Sequence, residues 1–301
     1  MTSTEQKPLT RWQVWMMAVR PQTLPASVAG VLTGSALCIY DGHFRPLAAL
    51  IALLVALCLQ TGSNLANDVF DYERGADARR EHGPQRVTQS GLLTPAQVKA
   101  GAWVVFFLAA LLGAYLTFEA GWVVFWIGLA AIGSAIAYSG GPLPLGYYGL
   151  GDVFVFLFFG PVSVMGTYFV QAKVVGPAAR WMSLPVGMII VAILVVNNLR
   201  DIETDRFAGK FTLPARFGQQ FAKAEYIVCL AVAFLSMPVL IAARIIPAWG
   251  LLTWVSLPLA WRSIRVVSMQ TGKALNAALA GTGQLALIFS ILFIIGMLMA
   301  R

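Results

Sequence analysis

The sequence has 301 residues, of which 58% are hydrophobic and only 11% are charged, and its formal net charge is +8. These charged and polar side chains are too few to cover the surface of a soluble globular protein. The composition therefore excludes a soluble protein and indicates an integral membrane protein. The excess of basic residues is then expected on cytoplasmic loops that face anionic lipid, and nucleic-acid binding is not predicted.

Nine apolar stretches are predicted to cross the membrane as helices, since only helices satisfy their own backbone hydrogen bonds inside a bilayer. They lie near residues 23–40, 46–66, 96–118, 121–139, 150–170, 181–199, 222–243, 247–261 and 278–299. The eighth stretch is short and contains Pro258, so its ends are the least well defined. We predict an all-α polytopic bundle, with residues 1–20 as an N-terminal tail and residues 21–301 as one transmembrane domain.

The distribution of lysine and arginine predicts the orientation of the bundle. Sixteen of the 21 basic residues lie in the tail or near loops that follow even-numbered helices, and five lie on the opposite side. Basic residues accumulate on the cytoplasmic side of a membrane. The N-terminus is therefore predicted inside the cell and the C-terminus outside.

Acidic residues cluster at the ends of two predicted helices. Eight of the thirteen acidic residues follow the second or the sixth helix, on the same membrane face. The helical spacing places two sets of side chains on one face each: Asn64 with Asp68 and Asp71, and Asn197 with Asp201 and Asp205. Because the pattern N-x-x-x-D occurs in both sets, we predict two related halves of roughly residues 21–145 and 146–301.

The chemistry of these clusters predicts a metal site. Carboxylates this close repel one another near a bundle interior unless a cation lies between them. Hard oxygen ligands without histidine or cysteine indicate Mg²⁺, for which Mn²⁺ can substitute. Mg²⁺ is commonly held by one or two carboxylates plus substrate phosphate oxygens, so two facing clusters predict a diphosphate site. The metal ligands and catalytic residues are predicted to be Asp68, Asp71, Asp201 and Asp205.

Basic and aromatic residues near the clusters are predicted to contact the substrates. Arg20, at the mouth of the first helix, and Lys210, after the second cluster, are expected to meet phosphate oxygens. The uncharged, glycine-rich loop 139–151 is expected to dip into the cavity mouth, where Tyr147 or Tyr148 would touch the acceptor. The alternatives are that the two basic residues only set topology and that the loop is a tight turn.

Two short motifs stand at these helix ends, Asn67-Asp68-x-x-Asp71 and Asp201-x-x-x-Asp205. They resemble the paired aspartate motifs of the UbiA superfamily of intramembrane aromatic prenyltransferases. The third acid of the first motif is Asp77, which is the spacing of the branch that prenylates 1,4-dihydroxy-2-naphthoate in menaquinone biosynthesis. Further matches to this branch are Arg20-Pro-Gln-Thr-Leu-Pro-Ala, Thr88-Gln-Ser-Gly-Leu, Gly141-Pro-Leu-Pro-Leu-Gly-Tyr-Tyr-Gly-Leu-Gly-Asp and Asn197-Asn-Leu-Arg.

The resemblance implies nine helices around a central cavity, Mg²⁺ dependence and a site that opens to the cytoplasm of a bacterial inner membrane. The implied reaction moves a prenyl group from a polyprenyl diphosphate to the naphthoate with loss of CO₂, giving demethylmenaquinol. Asn64, Asn67, Asn197 and Asp77 are predicted as further substrate-binding residues. The alternatives are another aromatic acceptor, such as 4-hydroxybenzoate, homogentisate or haem, and a cation-coupled transporter.

Overall fold

The structure is a computed structural model that describes residues 9–76 and 82–301. Within these ranges every regular element is helical, and no strand is present. The prediction of an all-α fold is confirmed. Asp77, one of the predicted substrate-binding residues, lies outside the described residues.

The described part of the first half contains five α-helices. Their bounds are α1 Arg11–Val19, α2 Leu24–Tyr40, α3 Pro46–Glu73, α4 Pro95–Ala120 and α5 Trp122–Ala137. Proline in the first turn begins α3 and α4, where its missing N–H costs no hydrogen bond. Thr94 also caps α4, because its hydroxyl accepts a hydrogen bond from the backbone of Gln97.

The second half contains seven α-helices, two of which are joined through a π-helical turn. Their bounds are α6 Gly151–Leu157, α7 Ser163–Ala172, α8 Pro177–Arg200, α9 Ile202–Phe207, α10 Leu213–Ala242, α11 Leu257–Met269 and α12 Leu275–Met299. The π-helical turn Phe158–Val162 joins α6 to α7 and contains Pro161, whose ring cannot continue regular α-helical bonding. A 3₁₀ segment, Ala248–Ser256, precedes α11.

Seven segments of the described chain are long and apolar enough to cross a membrane. They correspond to seven of the predicted spans. The fourth predicted span is a shorter apolar helix, α5, of 16 residues. The eighth is divided between the 3₁₀ segment and the 13-residue α11, with Pro258 in the first turn of α11. The count of nine spans and the two related halves therefore stay predictions.

The core of the bundle is built around α8, which packs against α10, α12 and α2. The π-helical turn approaches α8 closely, because Gly160 has no side chain: a Cβ there would lie 2.6 Å from the carbonyl oxygen of Ser183. A second cluster joins α1, α3 and α4 in the first half and includes Val87 from the segment before α4. A third, smaller cluster joins α2, α3, α4 and α7, so the apolar packing links the two halves of the chain.

Helix length places the two acidic motifs at the ends of the bundle. With a rise of about 1.5 Å per residue, the 28 residues of α3 span roughly 42 Å, more than the hydrocarbon core of about 30 Å. The last turns of α3, which carry the first motif, therefore extend toward the membrane interface. The second motif begins at the end of α8 and continues into the short α9.

Candidate active site

The first acidic motif begins with Asp68, which is almost fully buried in α3. Its Oδ1 atom accepts a hydrogen bond of 3.1 Å from the backbone N–H of Thr88. Its Oδ2 atom lies 3.5 Å from a guanidinium nitrogen of Arg20 and 4.0 Å from one of Arg86. Two arginines and a backbone donor therefore surround this carboxylate.

Asp71, one turn further along α3, is where the two halves of the chain meet. Its Oδ2 atom lies 3.2 Å from Arg86 and 3.0 Å from the Lys210 ammonium group, which follows α9 in the second half. Its Oδ1 atom accepts a 3.0 Å hydrogen bond from the Tyr147 hydroxyl. A single buried carboxylate thus connects both motifs and the loop before α6.

The second motif begins with Asp201, which forms a two-point contact with the neighbouring Arg200. The guanidinium nitrogens of Arg200 lie 2.8 Å and 2.6 Å from the two carboxylate oxygens of Asp201. Arg200 also donates to the side-chain oxygen of Asn197 at 2.8 Å. The asparagine and aspartate of this motif are therefore held together by one buried arginine.

Asp205 lies one helical turn after Asp201 and has few donors of its own. Its Oδ2 atom accepts a hydrogen bond of 3.3 Å from the Thr212 hydroxyl. Burial raises the pKa of Asp205 to about 7; the Lys210 ammonium group opposes this rise, and the carboxylates of Asp201 and Asp71 add to it. Burial, more than the neighbouring carboxylates, therefore disfavours the charged form of Asp205.

These side chains surround one polar cleft with room for about 100 Å³, the liquid volume of roughly three water molecules. A cleft of this size accepts a charged headgroup but not a long apolar tail. It is lined by Arg20, Asn67, Asp71, Arg86, Tyr138, Ser139, Gly146, Tyr147, Asn197, Asn198, Asp201, Asp205, Lys210 and Thr212. Of the twelve predicted site residues, eight line this cleft.

Three of the predicted residues that the structure describes do not line the cleft. Asp68 is buried behind it, against Arg20 and the segment before α4. The amide group of Asn64 donates 2.8 Å hydrogen bonds to the carbonyl of Val19 and to the Thr23 hydroxyl, so it anchors the junction of α1 and α2. Tyr148 is 47% exposed and points away, and Asp77 is not described.

The loop before α6 brings Tyr147 into the cleft. The carbonyl of Tyr147 accepts a 2.7 Å hydrogen bond from the backbone N–H of Phe211, so this loop is attached to the segment after α9. Gly149 adopts a φ of 78°, and a Cβ at that position would lie 2.9 Å from the Phe211 carbonyl. The turn therefore requires glycine, and it places Tyr147, with Lys210 4.7 Å from its ring centre, beside Asp71.

Several residues that line or support the cleft carry little signal in the local sequence. Arg86 is one of a run of basic residues after the first motif, and nothing in the local sequence distinguishes it from its neighbours. Arg200 could have been identified from the sequence, because it lies inside the second motif. Tyr138 and Thr212 belong to loops whose paths the sequence leaves open. Arg86 and Arg200 are both buried, at 8% and 3% exposure.

The carboxylate and amide oxygens of the cleft are the type of ligand that a hard divalent cation prefers. Within the part of the chain that the structure describes, no three His, Cys, Asp or Glu side chains are grouped closely enough to form a metal site by themselves. Mg²⁺, however, needs only one or two carboxylates when phosphate oxygens complete its coordination. The carboxylates of Asp71, Asp201 and Asp205 line the same cleft and match that requirement.

Comparisons of the sequence identify its relatives. A model of the UbiA prenyltransferase family matches residues 27–291. The chain is 35% identical to a 1,4-dihydroxy-2-naphthoate octaprenyltransferase of Escherichia coli (strain K12), and 99% of each chain is aligned. It is 38% identical to the protein of the same name from Mycobacterium tuberculosis, over 92% of this chain and 94% of the relative.

Solved structures share the fold. A UbiA homolog from Archaeoglobus fulgidus bound to GPP and Mg²⁺ aligns with a TM-score of 0.67 at 16% identity, over 94% of this chain and 99% of that one. The apo structure of a UbiA homolog from Aeropyrum pernix K1 aligns with a TM-score of 0.65 at 14% identity, over 97% and 99%. At these identities the likeness establishes the fold alone.

Proposed function

Because the chain belongs to the UbiA prenyltransferase family, we propose that it transfers a polyprenyl group from a polyprenyl diphosphate to 1,4-dihydroxy-2-naphthoate. The allylic C–O bond breaks, and its electron pair leaves with the diphosphate. The electron-rich ring supplies the electrons for the new C–C bond. Loss of CO₂ leaves the electron pair of the broken C–C bond with the ring, which balances the charge and gives demethylmenaquinol.

The proposal rests on one observation: both aspartate motifs come together at one cleft, where acidic and basic side chains are equal in number. The four aspartates of the motifs stand beside four basic residues, Arg20, Arg86, Arg200 and Lys210. An anion without a metal ion would be repelled by the carboxylates, and a metal ion without an anion would be repelled by the basic groups. A diphosphate that arrives with its own divalent cations satisfies both sets of charges.

The chain's own residues have separate roles in this scheme. Arg20, Arg86 and Lys210 turn from the carboxylates to the phosphate oxygens when the diphosphate enters, and they stabilise the charge that develops as it leaves. Asn67 and Asn197 offer amide groups to the same ligand. Tyr147, with its ring in the cleft, contacts the acceptor. Asp71, Asp201 and Asp205, with Asp68 behind them, would hold Mg²⁺ or Mn²⁺, which supplies Lewis-acid activation of the leaving group.

The choice of acceptor and donor is supported by the relatives. Those from Escherichia coli and Mycobacterium tuberculosis are named for 1,4-dihydroxy-2-naphthoate and an octaprenyl group. The A. fulgidus homolog was solved with GPP and Mg²⁺ bound. We therefore propose the naphthoate as acceptor, and octaprenyl diphosphate is a suitable donor for the test below.

We also propose where the reaction takes place. The predominance of basic residues near the loops that follow even-numbered spans supports a cytoplasmic N-terminus and an external C-terminus. The cleft then opens on the cytoplasmic side of a bacterial inner membrane. The prenyl tail, too large for the polar cleft, would extend into the apolar bundle or the lipid.

The test is turnover by the purified protein in detergent with Mg²⁺ and octaprenyl diphosphate. We expect 1,4-dihydroxy-2-naphthoate to be consumed with release of CO₂, and 4-hydroxybenzoate and homogentisate to react at least about tenfold more slowly, a difference of about 1.4 kcal/mol. Preference for 4-hydroxybenzoate would overturn the acceptor but not the prenyl transfer. Ion uptake by proteoliposomes, without any prenylated product, would favour the transporter alternative.

A further inference from the structure

Asn276, in the first turn of α12, uses both ends of its side-chain amide to join two parts of the chain. Its Oδ1 atom accepts a 2.8 Å hydrogen bond from a guanidinium nitrogen of Arg200. Its Nδ2 atom donates a 2.9 Å hydrogen bond to the backbone carbonyl of His82. The two partners are separated by 118 positions in the sequence, and neither lies on α12.

One end of this bridge fixes Arg200. The remaining nitrogens of that guanidinium group contact Asp201 and the side chain of Asn197, so among the described residues its side-chain partners belong to the second motif or are Asn276. Arg200 is 3% exposed, and a buried guanidinium group that loses a partner must repack or stay unsatisfied. Asn276 therefore helps to set the orientation of the arginine that holds the second motif.

The other end of the bridge fixes residues 82–91, which cover the first motif and are called the covering segment below. Four residues after His82, Arg86 reaches Asp71 at 3.2 Å, and the backbone N–H of Thr88 donates to Asp68. The His82 ring also packs beside Gly272, at the turn before α12, where a Cβ would lie 3.3 Å from its Nε2 atom. The covering segment is thus attached to the start of α12 at His82 and to α3 at the aspartates.

We propose that Asn276 is a positioning residue, which couples the covering segment to Arg200 and so holds the two aspartate motifs at a fixed separation. Asn276 does not line the cleft, so it acts through Arg86 and Arg200 and not by touching the substrates. Its effect on catalysis rests on the proposed function. Its effect on the covering segment does not.

Two variants separate the two hydrogen bonds of the bridge. Asn276→Ala removes both. Asn276→Asp keeps an acceptor for Arg200 but places a carboxylate oxygen opposite the His82 carbonyl, where no donor remains. The matched control is Gln270→Ala, which removes an exposed side-chain amide just before α12 that makes no hydrogen bond in the described part of the chain.

Amide hydrogen exchange of the peptide covering residues 82–91 is the readout that requires no substrate. We expect at least about fivefold faster exchange in this peptide for both Asn276 variants, and wild-type exchange for Gln270→Ala. Peptides from α10 serve as an internal reference in each sample, since faster exchange there would indicate general unfolding. Unchanged exchange of residues 82–91 in Asn276→Asp would overturn the coupling.

Steady-state kinetics then tests the catalytic consequence. We expect the KM for the prenyl diphosphate to rise about tenfold in both Asn276 variants, while the KM for the naphthoate stays within about twofold of wild type. A general loss of folded protein would lower kcat and leave both KM values unchanged, which would also overturn the positioning role. A wild-type protein without turnover would instead refute the proposed function, and the exchange comparison would still decide the coupling.

Discussion

Asp71 offers the sharpest perturbation of the site, because the substitution Asp71→Asn removes a charge at nearly constant shape. The native carboxylate is 3% exposed and stands within 3.2 Å of Arg86, 3.0 Å of Lys210 and 3.0 Å of the Tyr147 hydroxyl. The asparagine oxygen can still accept from one of these donors. The buried guanidinium group of Arg86 and the partly buried ammonium group of Lys210 nevertheless lose their shared counter-ion.

The expected magnitude follows from this geometry. Removing one partner of a buried ion pair typically costs about 3 to 5 kcal/mol, since the other charge stays buried without compensation. If the transition state for loss of diphosphate depends on the same carboxylate, turnover falls by roughly 10² to 10³-fold. The measurement is CO₂ release from 1,4-dihydroxy-2-naphthoate under saturating Mg²⁺ and prenyl diphosphate, together with the apparent melting temperature in detergent.

A matched control lies two residues away on the same helix. Glu73 pairs with Lys99 at 2.7 Å, but both side chains are about 40% exposed, so this ion pair is screened by solvent. Exposed pairs contribute about 0 to 1 kcal/mol, and Glu73→Gln is therefore expected to keep at least about half of the wild-type turnover. Turnover above one tenth of wild type in Asp71→Asn, with the control intact, would refute the role assigned to this carboxylate.

Three other outcomes are expected. Removal of divalent cations with EDTA should abolish turnover, and Mg²⁺ or Mn²⁺ but not Ca²⁺ should restore it, since Ca²⁺ prefers more ligands at longer distances; full activity in EDTA would exclude the metal. Asn64→Ala removes two buried hydrogen bonds, which should cost about 1 to 3 kcal/mol of stability and lower the apparent melting temperature. The KM for the prenyl diphosphate should change less than threefold, and a larger change would indicate that Asn64 contacts the substrate. In a background without native cysteines, Val174→Cys should react with an impermeant thiol reagent in intact cells, and Ala208→Cys only after the membrane is opened; the reverse pattern would invert the orientation.

The position of the second motif illustrates what local sequence can predict. Its aspartates follow directly on a predicted span, and the structure ends α8 at Arg200, next to Asp201. A bilayer sets the length of an apolar helix, and the polar residues that follow it must lie at the interface. The same reasoning placed the first motif just after a span ending near residue 66, whereas in the structure α3 continues to Glu73 and contains the motif in its last turns.

The identity of the side chains that meet at these helix ends was harder to predict. Lys210, a predicted site residue, lines the cleft, and its ion-pair partner is Asp71 in the other half. Asn64 has the helical spacing of a site residue, yet the α1–α2 junction takes up its hydrogen-bonding groups. Helical periodicity indicates which residues share a face and leaves open what packs against that face.

The sequence by itself determined the membrane class, the helical spans, the placement of both aspartate motifs at helix ends and the resemblance to the UbiA superfamily. These features depend on composition, hydrophobic length and short-range spacing, which are properties of the chain read locally. Only the tertiary structure decided that Arg86 reaches both aspartates of the first motif, that Arg200 contacts Asp201 in the second, and that Asn276 bridges Arg200 and His82. Such contacts link positions up to about two hundred residues apart, and they exist only once the helices have packed and fixed the paths of the loops between them.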